Sequence, residues 1–169
     1  IPDLLENSKN AVDKMMHFID AILEKVEKNQ FEIVDLNVKD SMDRIIQKWK
    51  SDFTWLNIKI DIDPSMTFRI SKDTLYTIFE NLILNSTQQN YDYSELKISI
   101  DIRKEGDELI VKYLDKGRGL PKKFLDNPRV ILEPHETSRN DGHGLGMWII
   151  NNTIEMQNGR VINIDGENG

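Results

Sequence analysis

Leu5, Ser8, Val12, Met15, Ile19, Ile22 and Val26 succeed one another at alternating spacings of three and four, which predicts a helix with a coiled-coil seam whose one polar lapse is Ser8. Leu4, Ala11, Met16, Phe18 and Leu23 widen the stripe, as suits a helix packed in a bundle. The alternative is a helix covering the core of its own domain. After Asn29 the period changes. Residues 31–36 predict a short extended segment, and residues 40–53 a helix with Met42, Ile45, Ile46 and Trp49 on one side. Leu56, Ile58, Ile60 and Ile62 alternate with polar residues as in a half-buried strand. Asp63-Pro64-Ser65 breaks that run before residues 67–70, which predicts a hairpin. Ser71 with Lys72-Asp73 is placed to cap a helix reaching about Asn90, with Leu75, Ile78, Phe79, Leu82 and Ile83 on its buried face. Residues 96–102 alternate, Glu105-Gly106-Asp107 turns the chain, and residues 109–114 return as a second hairpin.

From Asp115 to Gly144 no period holds, and the stretch is expected to form a mobile lid. Helical spacing resumes through Leu145, Trp148, Ile149 and Ile154, Asn158-Gly159 supplies a stop, and residues 160–164 alternate as a last strand. Hairpins with helices between them, and no regular βαβ alternation, predict an α+β fold: a two-layer sandwich with helices on one face of a mixed sheet.

Composition narrows the function classes. The 169 residues, 38% hydrophobic and 30% charged, suit one compact domain with a short appendage. A net charge of −7 disfavours non-specific binding to nucleic acid or anionic lipid. The absence of cysteine excludes disulfide scaffolds, thiol catalysis and cysteine-ligated metals, and allows a reducing compartment such as the cytosol. Runs such as Met147-Trp148-Ile149-Ile150 fall far short of the roughly 20 apolar residues that span a bilayer.

Three features carry chemistry. Asn81 and Asn85 lie four apart on one helical face, continued by Thr74, Thr77 and Gln88. Their amide oxygens suit a hard cation such as Mg²⁺ that takes its remaining ligands from water and phosphate; the alternative is a polar face turned to water. Asp115-Lys116-Gly117-Arg118-Gly119 follows a strand directly. A carboxylate there can accept from the exocyclic amine of adenine, whereas phosphate would be repelled; the alternative is an ordinary turn opened by aspartate. Gly142-His143-Gly144-Leu145-Gly146 opens a helix whose unpaired N–H groups and dipole favour an anion. It is neither a dinucleotide fingerprint nor a P-loop, because no strand precedes it and no lysine with a hydroxyl residue follows. Lys116, Arg118, Lys122, Lys123, Arg129 and Arg139 concentrate positive charge around it; the alternative is a solvated loop-to-helix junction.

Asn81-Leu82-Ile83-Leu84-Asn85, then Asp115-Lys116-Gly117-Arg118-Gly119, then Gly142-His143-Gly144-Leu145-Gly146-Met147 together resemble the ATP-binding domain of sensor histidine kinases, within the gyrase, Hsp90, histidine kinase and MutL superfamily. The resemblance implies a Bergerat-type ATP-binding fold over residues 31–169, with residues 1–30 as the second helix of a dimerisation hairpin. It implies Mg²⁺ on Asn85, with Asn81 the second polar residue of that box, and adenine on Asp115 with Gly117 and Gly119 beside it. Gly142, Gly144 and Gly146 would contact phosphate, with His143 beside them, while Leu145 packs. Thr137-Ser138-Arg139 occupies the place of a Thr-Thr-Lys, so Arg139 would reach the terminal phosphates as a forked donor. Gln88 and Gln89 stand where the family often has a lysine and an aromatic, and Leu132-Glu133-Pro134-His135-Glu136 replaces a phenylalanine-rich lid segment.

The implied function is transfer of the γ-phosphoryl group of Mg·ATP to a histidine of the dimerisation domain in two-component signalling, with a homodimer and a response regulator or phosphorelay protein as partners. The implied setting is the cytoplasm, as a free protein or as the cytoplasmic part of a membrane-anchored sensor. Water-hydrolysing relatives carry glutamate at the place of Asn81, and an amide cannot act as general base. The rivals are an ATP-driven clamp of the gyrase or Hsp90 kind and a nucleotide-binding pseudo-kinase or anti-sigma-like module. As acceptors, His17 lacks the following acidic residue, and His135-Glu136 falls among helix breakers. The acceptor is expected upstream of Ile1.

Overall fold

The computed structural model describes residues 2–27, 32–134 and 145–166. Helix α1 spans Pro2–Glu27, as the seam predicts. Strand β1, Ile33–Asn37, leads straight into α2, Val38–Asp52, because Asn37 caps it: its side-chain oxygen accepts the Asp40 N–H at 2.9 Å. The other end of the same amide donates to Pro64 O at 2.9 Å, tying the cap to the following turn. Strands β2, Leu56–Ile62, and β3, Thr67–Ser71, precede α3, Thr74–Gln89. Strands β4, Leu96–Glu105, and β5, Glu108–Asp115, form the expected hairpin, turned at Gly106, whose φ of +60° favours glycine. Helix α4 spans Gly146–Met156 and stops at Asn158, which takes the left-handed conformation (φ 59°) and lets Gly159 N–H reach Ile154 O at 3.0 Å.

The alternating isoleucines explain the main sheet, of order β2-β4-β5. Ile58, Ile60 and Ile62 run parallel to Ile98, Ile100 and Ile102. The three β4 isoleucines are at most 2% exposed and face the helical layer, where Met42, Phe79 and Ile83 are fully buried. Burying each such side chain contributes about 1.5–3 kcal/mol before ordering costs. Because β2–β4 is parallel and β4–β5 antiparallel, the sheet is mixed and the two-layer α+β expectation holds.

Four local expectations are corrected. β2 and β3 form no hairpin: β3 pairs antiparallel with β1, from Ile33↔Ser71 to Asn37↔Thr67. Ser71 ends a strand, and Asp73 precedes α3, accepting the Thr77 hydroxyl at 3.0 Å. The first part of the expected lid is folded: 3₁₀ turns at Lys122–Phe124 and Pro128–Leu132 bury Phe124 and Leu132. Residues 160–164 form no strand, since the backbone there meets the Arg129 guanidinium at Val161 O (3.0 Å) rather than a ladder partner.

Candidate functional site

Helix α3 carries the site because its two sides differ. Leu75, Ile78, Phe79 and Ile83 sink into the core, while Asn81 and Asn85 remain half-buried on another face. Asn81 Nδ2 donates to Thr77 O at 2.7 Å, which leaves its Oδ1 as the outward acceptor. The Asn85 side chain makes no hydrogen bond with another described residue. Opposite them stands Gly146, the first residue of α4: a Cβ there would lie 3.2 Å from either Asn85 amide atom and 3.5 Å from Asn81 Oδ1. Glycine is what lets the N-terminus of α4 approach the asparagine pair so closely. Leu145, just before it, is buried at 8% exposure. The polar stripe is shorter than its sequence suggests, because Thr74 and Thr77 are buried, at 3% and 5% exposure.

Glu80 is the one acidic residue of α3. It faces away from the asparagines: Trp49 Nε1 donates to its Oε2 at 3.2 Å, and Lys48 Nζ lies 3.5 Å from Oε1. No carboxylate of this helix therefore reaches the Asn81 side.

The last turn of α3 builds the other end of the site. Ser86, 2% exposed, donates through Oγ to Asp115 Oδ2 and meets the Tyr113 hydroxyl at 2.8 Å. Asp115 Oδ1 accepts Gly117 N–H at 3.1 Å. Asn90, 1% exposed, bridges the two elements: its Nδ2 donates to Ser86 O at 2.8 Å, and its Oδ1 accepts Arg118 N–H at 3.0 Å. Gly117 lies flat against that amide, and a Cβ there would come within 2.6 Å of Asn90 Cγ. Gly119 takes a φ of +75°, which glycine alone adopts without strain. Burial pushes the Tyr113 phenol well above its ordinary pKa, with the nearby Asp115 charge adding to the rise and the Ser86 hydrogen bond opposing it.

The structure thus brings together Asn81, Asn85, Gly146, Asp115 and Gly117 around one helix, with Gly119 two residues further along the turn. Arg139, Gly142, His143 and Gly144 lie outside the described residues. Three cations expected around the glycines are engaged elsewhere: Arg118 pairs with Asp92 and lies over the Tyr93 ring, Arg129 holds Val161 O, and Lys123 lies over Phe124. Ser86, Tyr113 and Asn90 were not visible as functional residues; their signal is spacing, since Ser86 and Asn90 lie one helical turn apart and Tyr113 shares a strand face with Asp115. No group of three or more histidine, cysteine or acidic side chains able to hold a metal occurs among the described residues. Two amide oxygens on one helix face fit a Mg²⁺ ion that keeps its waters and shares a polyphosphate, and would not suffice for a fully protein-ligated ion.

This fold, with an amide-bearing helix facing a helix N-terminus and a half-buried carboxylate at the strand end, is that of a nucleotide-binding ATPase domain. The chain belongs to the histidine kinase-, DNA gyrase B- and HSP90-like ATPase family, which residues 70–169 match. Among its relatives, the sensor histidine kinase ZraS of Salmonella typhimurium is 23% identical over 98% of this chain and 36% of its own length. Sporulation kinase A of Bacillus subtilis is 34% identical over 56% of this chain and 14% of its own. The chain therefore spans about a third of ZraS, or less of longer relatives. The catalytic domain of histidine kinase ThkA superposes with a TM-score of 0.62 at 16% identity, over 74% of this chain and 81% of that one. Histidine kinase AdeS of Acinetobacter baumannii gives 0.60 at 17%, over 90% and 72%.

Proposed function

We propose that this chain is the catalytic portion of a sensor histidine kinase, binding Mg·ATP between α3 and the N-terminus of α4 and passing the γ-phosphoryl group to a histidine of a dimerisation domain. Asp115 accepts the adenine amine, and Gly117 and Gly119 shape the turn beside it. The glycines from Gly142 to Gly146 and Arg139 receive the phosphates. Asn85, with Asn81 beside it, would hold the metal, which offsets charge on the transferring phosphoryl group. The remaining work of the residues is positioning: the adenine and phosphate ends are both set by side chains of α3, so their separation is that of a rigid helix.

The observation that carries transfer over hydrolysis is the orientation of Glu80. With Asn81 an amide and Glu80 held by Trp49 and Lys48, α3 offers no general base to a water at the γ-phosphate. The same fact disfavours a turnover-driven clamp. Helix α1 is proposed as the dimerisation helix, because Leu5, Val12, Met15 and Ile19 remain 47–68% exposed along the seam. A response regulator or phosphorelay protein is the expected onward acceptor, and the cytoplasm the expected setting. Among the described residues no helix is long and apolar enough to cross a membrane.

Calorimetric titration with a non-hydrolysable ATP analogue and Mg²⁺ tests the binding half. Measurable affinity that falls at least tenfold in Asn85→Ala supports it, and an absence of binding at millimolar analogue favours the pseudo-kinase reading instead. Acid-labile, alkali-stable label from γ-labelled ATP on the full parent protein, lost in Asn85→Ala, supports the transfer half.

A further inference from the structure

The contacts among Tyr113, Ser86 and Asp115 have a direction. An ionised carboxylate only accepts, so the single Ser86 proton goes to Asp115 Oδ2. The 2.8 Å contact between the two hydroxyls must then carry the Tyr113 proton to Ser86 Oγ. The other carboxylate oxygen receives Gly117 N–H at 3.1 Å. Each oxygen of Asp115 is thereby held by one protein donor and keeps a further lone pair for a ligand. A base that presents an amine meets an oriented acceptor, and one that presents a carbonyl meets like charge.

We infer that Ser86, backed by Tyr113, is a positioning residue that sets the preference of the site for a purine bearing an exocyclic amine over one bearing a carbonyl at that place. This rests on the reading of Asp115 as the base-binding carboxylate and adds to it the device that aims the carboxylate. Ser86 is 2% exposed, so bulk water does not stand in for its hydroxyl. It follows Asn85 directly on α3, which couples the aim of the carboxylate to the helix that holds the phosphate end. Tyr113 lies two residues before Asp115 on β5, so both side chains leave the same strand face toward α3. Burial keeps its phenol protonated through the neutral range, and hence a constant donor.

The test compares ADP, inosine diphosphate and purine riboside diphosphate, which carry an amine, a carbonyl and a hydrogen at the same ring position. Affinities are measured by calorimetry for the chain itself and for Ser86→Ala, Ser86→Thr, Tyr113→Phe and Asp115→Asn, each checked for unchanged thermal unfolding with excess purine riboside diphosphate. The expected result for Ser86→Ala is an about tenfold fall in the ADP-to-inosine-diphosphate affinity ratio with binding of purine riboside diphosphate unaltered. Ser86→Thr restores the ratio, and Tyr113→Phe gives a smaller fall. An equal loss of all three ligands in Ser86→Ala means general damage and overturns the inference. So does an unchanged ratio in Ser86→Ala when Asp115→Asn abolishes it, an outcome that leaves the base-binding reading intact. A ratio indifferent to Asp115→Asn overturns that reading as well.

Discussion

Gly117 has no room for a side chain, and the obstacle is a group that cannot step aside. The Asn90 amide beneath it already donates to Ser86 O at 2.8 Å and accepts Arg118 N–H at 3.0 Å. Gly117→Ala must break those bonds or push the loop away, at a cost of about 1–3 kcal/mol, and should weaken nucleotide binding because Gly117 N–H also holds Asp115. Asn90→Ala removes the obstacle, so the double variant should lose less stability than the two single losses added together; chemical denaturation of all four proteins measures that coupling. Tyr113 predicts a pH dependence. Its folded pKa lies above the ordinary value of 10.0, so above that pH the unfolded chain gives up the proton first. Stability is therefore intact below about pH 10 and falls as pH rises toward the folded value; melting temperatures of the chain and of Tyr113→Phe between pH 8 and 11 should diverge in slope only at the alkaline end. At this scale Asp115 and the asparagine pair were legible only through the three motifs taken in order, because each spacing alone also fits a solvated helix face or an ordinary turn. Ser86 and Asn90 were not, because a serine and an asparagine near a helix end are unremarkable until the strand that faces them is known.

Among the elements, α3 decides most. Its faces are divided among the core, the asparagine side and the α2 side, and Glu80 belongs to the last. Glu80→Gln is expected to leave nucleotide affinity unchanged within twofold, and to lower stability by about 1 kcal/mol or less, given a half-exposed contact with Lys48. Asn81→Glu places a carboxylate on the face proposed to hold the nucleotide and should raise phosphate release from ATP; unchanged release would remove Asn81 from the site. Each α-helix among the described residues could be read from its period, as could the β4–β5 hairpin from its short glycine turn. The partner of β3 could not, because alternation tells which face of a strand is buried and says nothing of which strand lies beside it. The two 3₁₀ turns escaped for a related reason: at three and five residues they are too short to show any period.

Across the molecule, α1 stands apart in how little of it is covered. Its described residues touch the domain where Phe18 meets Trp148 of α4 edge-on at 4.7 Å, while Leu5, Val12, Met15 and Ile19 of the seam stay exposed. Replacing two seam positions with charge, Val12→Lys with Ile19→Lys, is expected to convert a dimer to a monomer in light scattering without changing nucleotide affinity; a dimer that survives the change would show that another surface pairs, and a chain that is monomeric before it would remove α1 as a sufficient dimerisation helix. The parallel registry of β2 with β4 has one more consequence. Leu56 lies beside Leu96, and the whole of α3 hangs in the loop that this pairing closes. Closing so long a loop costs entropy before any sheet contact rewards it. In a chain diluted out of urea, the helix can wind early, yet capture of a fluorescent nucleotide should lag behind it until that loop shuts.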